Sequence, residues 1–463
     1  MFDLKLLRYG NTPCLIGENS EITYQELDSI CKGIQEDLPN QKQLILVKAT
    51  TNIETIVGYL SFLRSNHALI MLDASIEQEL IDTIIKEYQP NFIWEELESD
   101  RRYINTYEGY GLRSENLKTL SLEPELSLLL STSGSTGSPK MVRLSKKNLY
   151  ANCNSIIEYL NIDITHRAIT NLPLHYSYGI SILNTHLEKG ASLVVTNESI
   201  MSKNFWNIFR KLEVTTLNGV PYHYEIFKKI GLMKMNLPSL KYMTQAGGKL
   251  NHKLVEEYAV WGKEKNIQFW VMYGQTEATA RISYLPSSDV VENNKSIGMV
   301  IPNGQLMIKN LNNTEYITDV NIEGELVYKG DNVMMGYASN ISDLNKPDEL
   351  QGLLSTGDIA KRDHRNYFYI TGRLKRFIKI HGNRVSLDEI EHYLKSINFD
   401  ILCTGIDNKL MIVTRDESTV NEIKKKIIQK YAFHHSVIKV KYILEYPTSS
   451  SGKIKYQKLR EEF

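Results

Sequence analysis

A run of small hydroxylated residues and glycines that ends in a lysine is the part of this sequence best suited to hold phosphate. The stretch LLLSTSGSTGSPK, residues 128–140, overlaps an apolar run at residues 126–130 that reads as a buried strand. Gly134 and Gly137 permit backbone conformations in which successive N–H groups point inward, a nest for phosphate oxygens. The hydroxyls of Thr132, Ser133, Ser135 and Thr136 can donate to the same oxygens, and Lys140 adds a compact cation. A Walker A loop needs Gly, four residues and then Gly-Lys-Ser/Thr, which this stretch does not provide. Composition alone suits a flexible surface loop equally well. The position behind a buried strand is what favours phosphate.

Such a loop needs a scaffold that delivers it at the end of a strand. Residues 43–48 (QLILVK) read as a strand, 54–64 as an amphipathic helix and 67–73 as a second strand. That order predicts a βαβ unit with a right-handed crossover. Further short runs at 192–196, 215–220, 241–244 and 268–272 end in Gly, Asn, Pro or Gln. In open parallel sheets, ligands gather at the carboxyl ends of such strands. From about residue 370 the pattern changes. Residues 377–380, 401–406 and 410–414 read as strands, and Ser386-Leu387-Asp388-Glu389 opens a helix with a capping box. A second helix sets Val420, Ile423, Ile427 and Tyr431 on one face. The expected fold class is α/β, with a large N-terminal domain of layered α/β subdomains (1–373) and a small mobile C-terminal α+β domain (374–463).

Composition narrows the partners. A chain of 463 residues exceeds one compact core. Its 54 Lys and Arg balance 54 Asp and Glu, so no global field recruits nucleic acid or an anionic membrane. Positive charge for a phosphate ligand must therefore be gathered locally. Cys14, Cys31, Cys153 and Cys403 lie far apart without CxxC or metal spacing, as expected of reduced thiols in a cytoplasmic protein. The start lacks a signal-peptide layout, and no apolar run approaches the roughly 20 residues that span a bilayer. The expectations are a cytoplasmic location, no nucleic-acid partner and no membrane insertion.

The loop STSGSTGSPK resembles the signature loop of the adenylate-forming superfamily, with Met141 in place of the usual final Gly. That superfamily includes AMP-binding acyl- and aryl-CoA synthetases, free-standing and modular peptide-synthetase adenylation domains, and luciferases. Further motifs follow in the family's order, and the resemblance covers essentially the whole chain. Gln245-Ala246-Gly247-Gly248-Lys249-Leu250 resembles the segment that lies against adenine. Tyr273-Gly274-Gln275-Thr276-Glu277 resembles the YGxTE motif. The resemblance implies that Tyr273 stacks on the base, Thr276 bonds the α-phosphate and Glu277 gives a hard oxygen to Mg²⁺. Ser355-Thr356-Gly357-Asp358 resembles the STGD motif, in which Asp358 would grip the ribose hydroxyls. Arg373 would touch ribose and phosphate, and Lys375 falls at the family's hinge. Gly382-Asn383-Arg384 matches the first hairpin of the small domain. Pro447 to Lys453 resembles the closing P-x(4)-GK motif, whose catalytic Lys453 would reach the carboxylate and the α-phosphate from a Ser/Gly tether.

The resemblance implies an ATP- and Mg²⁺-dependent, AMP-forming acid–thiol ligase, acting through an acyl-adenylate. The acceptor is either coenzyme A or the phosphopantetheine of an acyl or peptidyl carrier protein supplied in trans. Leu172-Pro173-Leu174-His175-Tyr176-Ser177-Tyr178-Gly179 resembles the substrate-side motif of acyl- and aryl-CoA synthetases. Amino-acid-activating relatives usually place Asp where His175 stands, so a small or aromatic carboxylic acid without an α-amino group is favoured; His175 is otherwise a structural histidine. Tyr176, Tyr178, Tyr222, His223 and Tyr224 either line the acid pocket or serve as ordinary packing among 27 tyrosines. Three other readings stay open: an amino-acid adenylation enzyme loading a carrier protein, transfer to an amine or oxygen, and a catalytically silent nucleotide-binding scaffold.

Overall fold

A computed structural model describes residues 6–18, 20–131, 140–374, 376–380, 383–431, 433–448 and 454–463. Thr132, Ser133, Gly134, Ser135, Thr136 and Gly137 of the expected phosphate loop lie outside the described residues, as do Lys375, Gly382 and Lys453.

By packing, the chain divides into two compact units: Met1–Gln305 with Lys329–Leu354, and Leu306–Tyr328 with Ser355–Phe463. The first is layered α/β, with two large sheets. One sheet has eight strands, in the order Gly336–Ala338, Met141–Ser145, Leu126–Ser131, Ala68–Asp73, Leu44–Ala49, Phe92–Glu96, Tyr110–Ser114 and Asn105–Tyr107. The βαβ unit read from the sequence is there. Leu44–Ala49 and Ala68–Asp73 pair in parallel from Leu44↔Ala68 to Ala49↔Asp73, and helix Ile53–Arg64 connects them. Both strands are nearly continuous runs of buried aliphatic side chains, as expected for strands covered on both faces. Asn52 starts the connecting helix by accepting from the Thr55 N–H at 2.9 Å.

The other sheet has nine strands. Its parallel centre runs Ser192–Val194, Arg167–Ile169, Thr216–Gly219, Tyr242–Gln245 and Gln268–Tyr273. Four of these five strands fall on the short runs predicted from the sequence: Ser192–Val194 and Thr216–Gly219 are shorter by two residues, Tyr242–Gln245 is shifted by one and Gln268–Tyr273 is longer by one, whereas Arg167–Ile169 is not among those runs. Ser283–Leu285 then returns antiparallel to Gln268–Tyr273.

The second unit carries a five-stranded sheet that includes Leu353–Arg362 and Phe368–Arg373. Beyond it lie a two-stranded hairpin (Phe377–Ile380, Asn383–Ser386) and a three-stranded sheet (Ile401–Ile406, Lys409–Thr414, Ile438–Tyr442). Helices Leu387–Ser396 and Val420–Tyr431 close this α+β layer, burying Ile390, Leu394, Ile423 and Ile427 against Cys403 and Ile412. Ser386 caps its helix by accepting from the Glu389 N–H at 3.2 Å. The packing division differs from a break after Arg373. Strand Phe368–Arg373 is paired along its length with Leu353–Arg362, so these strands count with the C-terminal unit. No helix among the described residues is long and apolar enough to cross a membrane. All four cysteines are free and buried.

Candidate active site

At the carboxyl end of strand Gln268–Tyr273 the chain makes a crowded turn. A side chain at Gly274 would put its Cβ 2.0 Å from the Ala280 carbonyl oxygen, so only glycine fits. Thr276–Ala278 forms one 3₁₀ turn, and Thr279 follows at φ 65°, a rare conformation for a β-branched residue. Asn332 braces this strain by donating to the Ala278 and Arg281 carbonyls at 2.9 Å each, while the Thr279 hydroxyl donates to the Asn332 carbonyl at 2.6 Å. Thr276 is buried, its hydroxyl 3.5 Å from that of Ser177 at the start of helix Ser177–Glu188.

The turn aims Glu277 at a strand pair. Tyr337 donates its hydroxyl to Glu277 Oε1 at 2.8 Å. Burial, and then the Glu277 charge, push the Tyr337 phenol well above its ordinary range, so it stays a neutral donor. Tyr337 lies opposite Val142 in the antiparallel pair formed with strand Met141–Ser145. Lys140, just before that strand, places Nζ 3.6 Å from the centre of the Tyr337 ring. The cation of the expected phosphate loop and the carboxylate expected to hold Mg²⁺ thus share one aromatic neighbour. Mg²⁺ keeps most of its waters and is commonly held by one or two carboxylates plus substrate phosphates. Glu277, bonded at one oxygen by a neutral phenol, fits that demand; no cluster of three metal-ligating side chains occurs among the described residues.

The segment after strand Tyr242–Gln245 lies flat against its neighbours. Gly247 adopts φ 84°, and a Cβ there would sit 2.6 Å from the Tyr176 hydroxyl. One on Gly248 would approach Pro221 Cγ to 3.1 Å. Gln245 holds the bend by donating to the Gly248 carbonyl at 2.9 Å. Lys249 is exposed, and Tyr273 and Gln275 flank the crowded turn. The adenine-side, YGxTE and Lys140 residues therefore all belong to the first unit.

His175 is half-buried, its side chain 14% exposed, with Nε2 3.6 Å from Asp73 Oδ2 at the end of strand Ala68–Asp73. Burial lowers its pKa and the Asp73 charge offsets only part of this, so the ring favours its neutral form. The tyrosine cluster separates into two groups. Tyr178 and Tyr224 belong to the core, their hydroxyls bonded to Thr244 Oγ1 (2.6 Å) and to the Thr244 carbonyl (2.8 Å). Tyr222 and His223 instead line a cleft, and Tyr176 packs beside Gly247.

In the second unit, Asp358 and Arg373 are register partners on strands Leu353–Arg362 and Phe368–Arg373. Arg373 Nε donates to Asp358 Oδ1 at 2.8 Å; the carboxylate is only 6% exposed and the guanidinium 63%. Gly357, at φ 73°, turns the chain so that its carbonyl accepts from the Leu374 N–H at 2.8 Å. The Thr356 hydroxyl donates to the Leu326 carbonyl at 2.7 Å and accepts from the Asp358 N–H at 3.1 Å. Sequence reasoning missed Tyr337, Asn332 and Asp73. Each comes from a segment remote in sequence, and none stands in a motif of its own.

A family model for AMP-binding enzymes matches residues 2–338, well over half of the chain. The chain belongs to the AMP-binding enzyme family. Among this AMP-binding enzyme's relatives, the 4-coumarate--CoA ligase-like 6 protein of Arabidopsis thaliana is 26% identical over 361 residues, covering 74% of this chain and 63% of that protein. The chain thus spans slightly less than two thirds of the plant relative. The D-alanine--D-alanyl carrier protein ligase of Staphylococcus haemolyticus (strain JCSC1435) is 23% identical over 478 residues, covering 96% of this chain and 95% of that protein. The o-succinylbenzoate CoA synthetase (MenE) of Bacillus subtilis, solved with its acyl-adenylate intermediate, shares the fold: TM-score 0.78, 19% identity, 99% of this chain and 97% of that one.

Proposed function

We propose that this AMP-binding enzyme is an ATP-dependent carboxylate ligase that forms an acyl-adenylate and passes the acyl group to a thiol. The observation that carries this reading is the Glu277–Tyr337–Lys140 arrangement, a carboxylate and a cation poised about one phenol at the end of a strand. A carboxylate is a poor electrophile and repels the triphosphate it must attack. A carboxylate oxygen of the acid bonds to the α-phosphorus, and the bond to the departing pyrophosphate breaks. Lys140, the backbone of 132–137 and Lys453 offset the charge gathered in that step, and Thr276 orients the α-phosphate. Bound Mg²⁺ supplies further neutralisation of the phosphate oxygens at Glu277. Tyr273, Gly247 and Gly248 form the adenine side, with Lys249 and Gln275 beside them. Asp358 accepts from the ribose hydroxyls, and Arg373 orders Asp358. A thiol then bonds to the acyl carbon, and AMP leaves with the electron pair of the anhydride bond.

Two domains, 1–373 and 374–463, pivot at Lys375 between the half-reactions. A pivot and a packing boundary need not coincide, because a hinge requires only a few residues that absorb the dihedral change. Neutral His175 gives no counter-ion to an α-ammonium, which favours a small or aromatic acid. The bacterial relative covered almost end to end supports a carrier-protein thiol as acceptor beside coenzyme A. A cytoplasmic location fits both acceptors.

The test is pyrophosphate release from ATP and Mg²⁺ with pooled carboxylic acids, with and without coenzyme A. Acid-dependent release is expected, with turnover raised by coenzyme A or by a phosphopantetheinylated carrier. Lys453→Ala is expected to abolish adenylate formation while sparing thiolation of supplied acyl-adenylate. Release of phosphate in place of pyrophosphate would sink the reading.

A further inference from the structure

Tyr337 reaches Glu277 from a strand too short to hold itself in place. Gly336–Ala338 has three residues and stands at the edge of the eight-stranded sheet, paired only with Met141–Ser145. Side chains alternate between the faces of a strand, so a slip of one residue would turn Tyr337 away from Glu277. Three register pairs, from Gly336↔Arg143 to Ala338↔Met141, offer little resistance to such a slip.

Arg143 supplies the missing resistance. Its side chain is 0% exposed. Nη2 donates to the carbonyls of Met335 at 3.1 Å and Pro347 at 3.3 Å, and to Glu349 Oε2 at 2.6 Å. Nη1 donates to the Lys346 carbonyl. The Arg143 carbonyl accepts from the Met335 N–H at 2.9 Å, and the Glu349 N–H donates to the Met335 carbonyl at 2.8 Å. One guanidinium thus clasps the residue before the short strand and the segment that follows it. Gly336 leaves room for the clasp, because a Cβ there would stand 2.8 Å from Nη2 and closer still to the Glu349 carboxylate. Tyr337, the next residue, leaves on the opposite face, where its hydroxyl meets Glu277 and its ring meets Lys140.

Stability alone does not account for an arginine here. Burying a charge is costly, Arg143 Nε has no hydrogen bond, and an apolar side chain of similar volume often serves stability as well. The best-attested use of a buried charge is to fix register. Nor can Arg143 meet a ligand, since none of its side chain is exposed.

We propose that Arg143 is a positioning residue for the metal site: it sets the register that presents the Tyr337 hydroxyl to Glu277, and thereby tunes the affinity for ATP with Mg²⁺ while touching neither. The proposal rests on the ligase reading in one respect, the assignment of Glu277 to Mg²⁺.

Titration calorimetry of ATP into the full chain, with and without Mg²⁺, reads that affinity without turnover. Mg²⁺ is expected to tighten ATP binding by the parent. Arg143→Met, which fills the space without the charge, should cut that gain about fivefold and leave metal-free ATP binding within about twofold. Glu349→Gln keeps an acceptor for the guanidinium and weakens only the ion pair; it should cut the gain about twofold and carries the test if Arg143→Met does not fold. Added to Tyr337→Phe, Arg143→Met should lower the gain by less than about twofold more, because it acts through the hydroxyl already removed. An undiminished gain in the variants, equal losses with and without Mg²⁺, or full additivity with Tyr337→Phe overturns the proposal, as does a parent whose ATP binding is indifferent to Mg²⁺. A reduced gain in Arg143→Met, with no acid-dependent pyrophosphate release by the parent, would condemn the ligase reading and leave the Arg143 assignment standing.

Discussion

Glu277 in the first unit and Asp358 in the second are both carboxylates assigned to the nucleotide, yet their surroundings differ in kind. Glu277 accepts from a neutral phenol, which brings no opposing charge to it. Asp358 is nine-tenths buried and paired to a guanidinium, which cancels its charge and fixes its orientation. A carboxylate left charged suits a hard cation, whereas one neutralised by arginine suits hydroxyl donors, where direction counts for more than field. The supports differ too. The Glu277 turn is held by lack of space at Gly274, and the Asp358 strand by a dihedral at Gly357 around which nothing crowds. One neighbour each thus suits two carboxylates of the same formal charge to different work.

The largest expected effects come from removing each charge in turn. Glu277→Gln should cut acid-dependent pyrophosphate release about 100-fold or more, in the range seen when a preorganised electrostatic group is lost, and flatten its dependence on Mg²⁺. Asp358→Asn should instead raise the KM for ATP about tenfold, equal to about 1.4 kcal/mol, with the Mg²⁺ dependence unchanged. Steady-state kinetics over a Mg²⁺ series distinguishes them. If both variants shift the Mg²⁺ dependence alike, the two carboxylates do not divide the work in this way.

The glycines offer a structural version of the same contrast. In Gly274→Ala the new methyl meets the Ala280 carbonyl, backbone that cannot swing aside, and a loss of about 3 kcal/mol is expected. Gly357→Ala meets nothing within 4 Å and should cost only the left-handed dihedral, about 1 kcal/mol. Urea denaturation of the two variants against the parent reads the difference. Equal losses would mean that the turn is not held by crowding.

The sequence disclosed whatever is encoded locally. Buried runs such as Leu44–Ala49 announce themselves by composition, and the start of helix Leu387–Ser396 by the Ser386 cap. Gly274 and Gly357 stand in motifs that point to their own turns. What stayed hidden depends on contacts between distant segments. Tyr337 reaches Glu277 across 60 residues, and Asp73, on a strand of the eight-stranded sheet, meets His175 in the turn before helix Ser177–Glu188. No periodicity marks a tyrosine as the one whose hydroxyl faces a carboxylate. Tyr178, Tyr222, His223 and Tyr224 made the same point: identical in the pattern, two turned into the core and two onto the cleft.

The smallest effect tests that hidden neighbour. Tyr337→Phe keeps the ring under Lys140 and deletes only the hydroxyl that orients Glu277. The cation contact survives, and water can replace the lost donor, so only a fraction of a hydrogen bond to a charged group is forfeited, roughly 1 kcal/mol. The loss should fall on positioning: a rise of about fivefold in the Mg²⁺ concentration for half-maximal rate, with the rate at saturating Mg²⁺ nearly unchanged. A matching fall in saturated rate with no change in Mg²⁺ dependence would show that the phenol serves the phosphate side through Lys140. The distinction drawn between the two carboxylates would then rest on Asp358 and Arg373 alone.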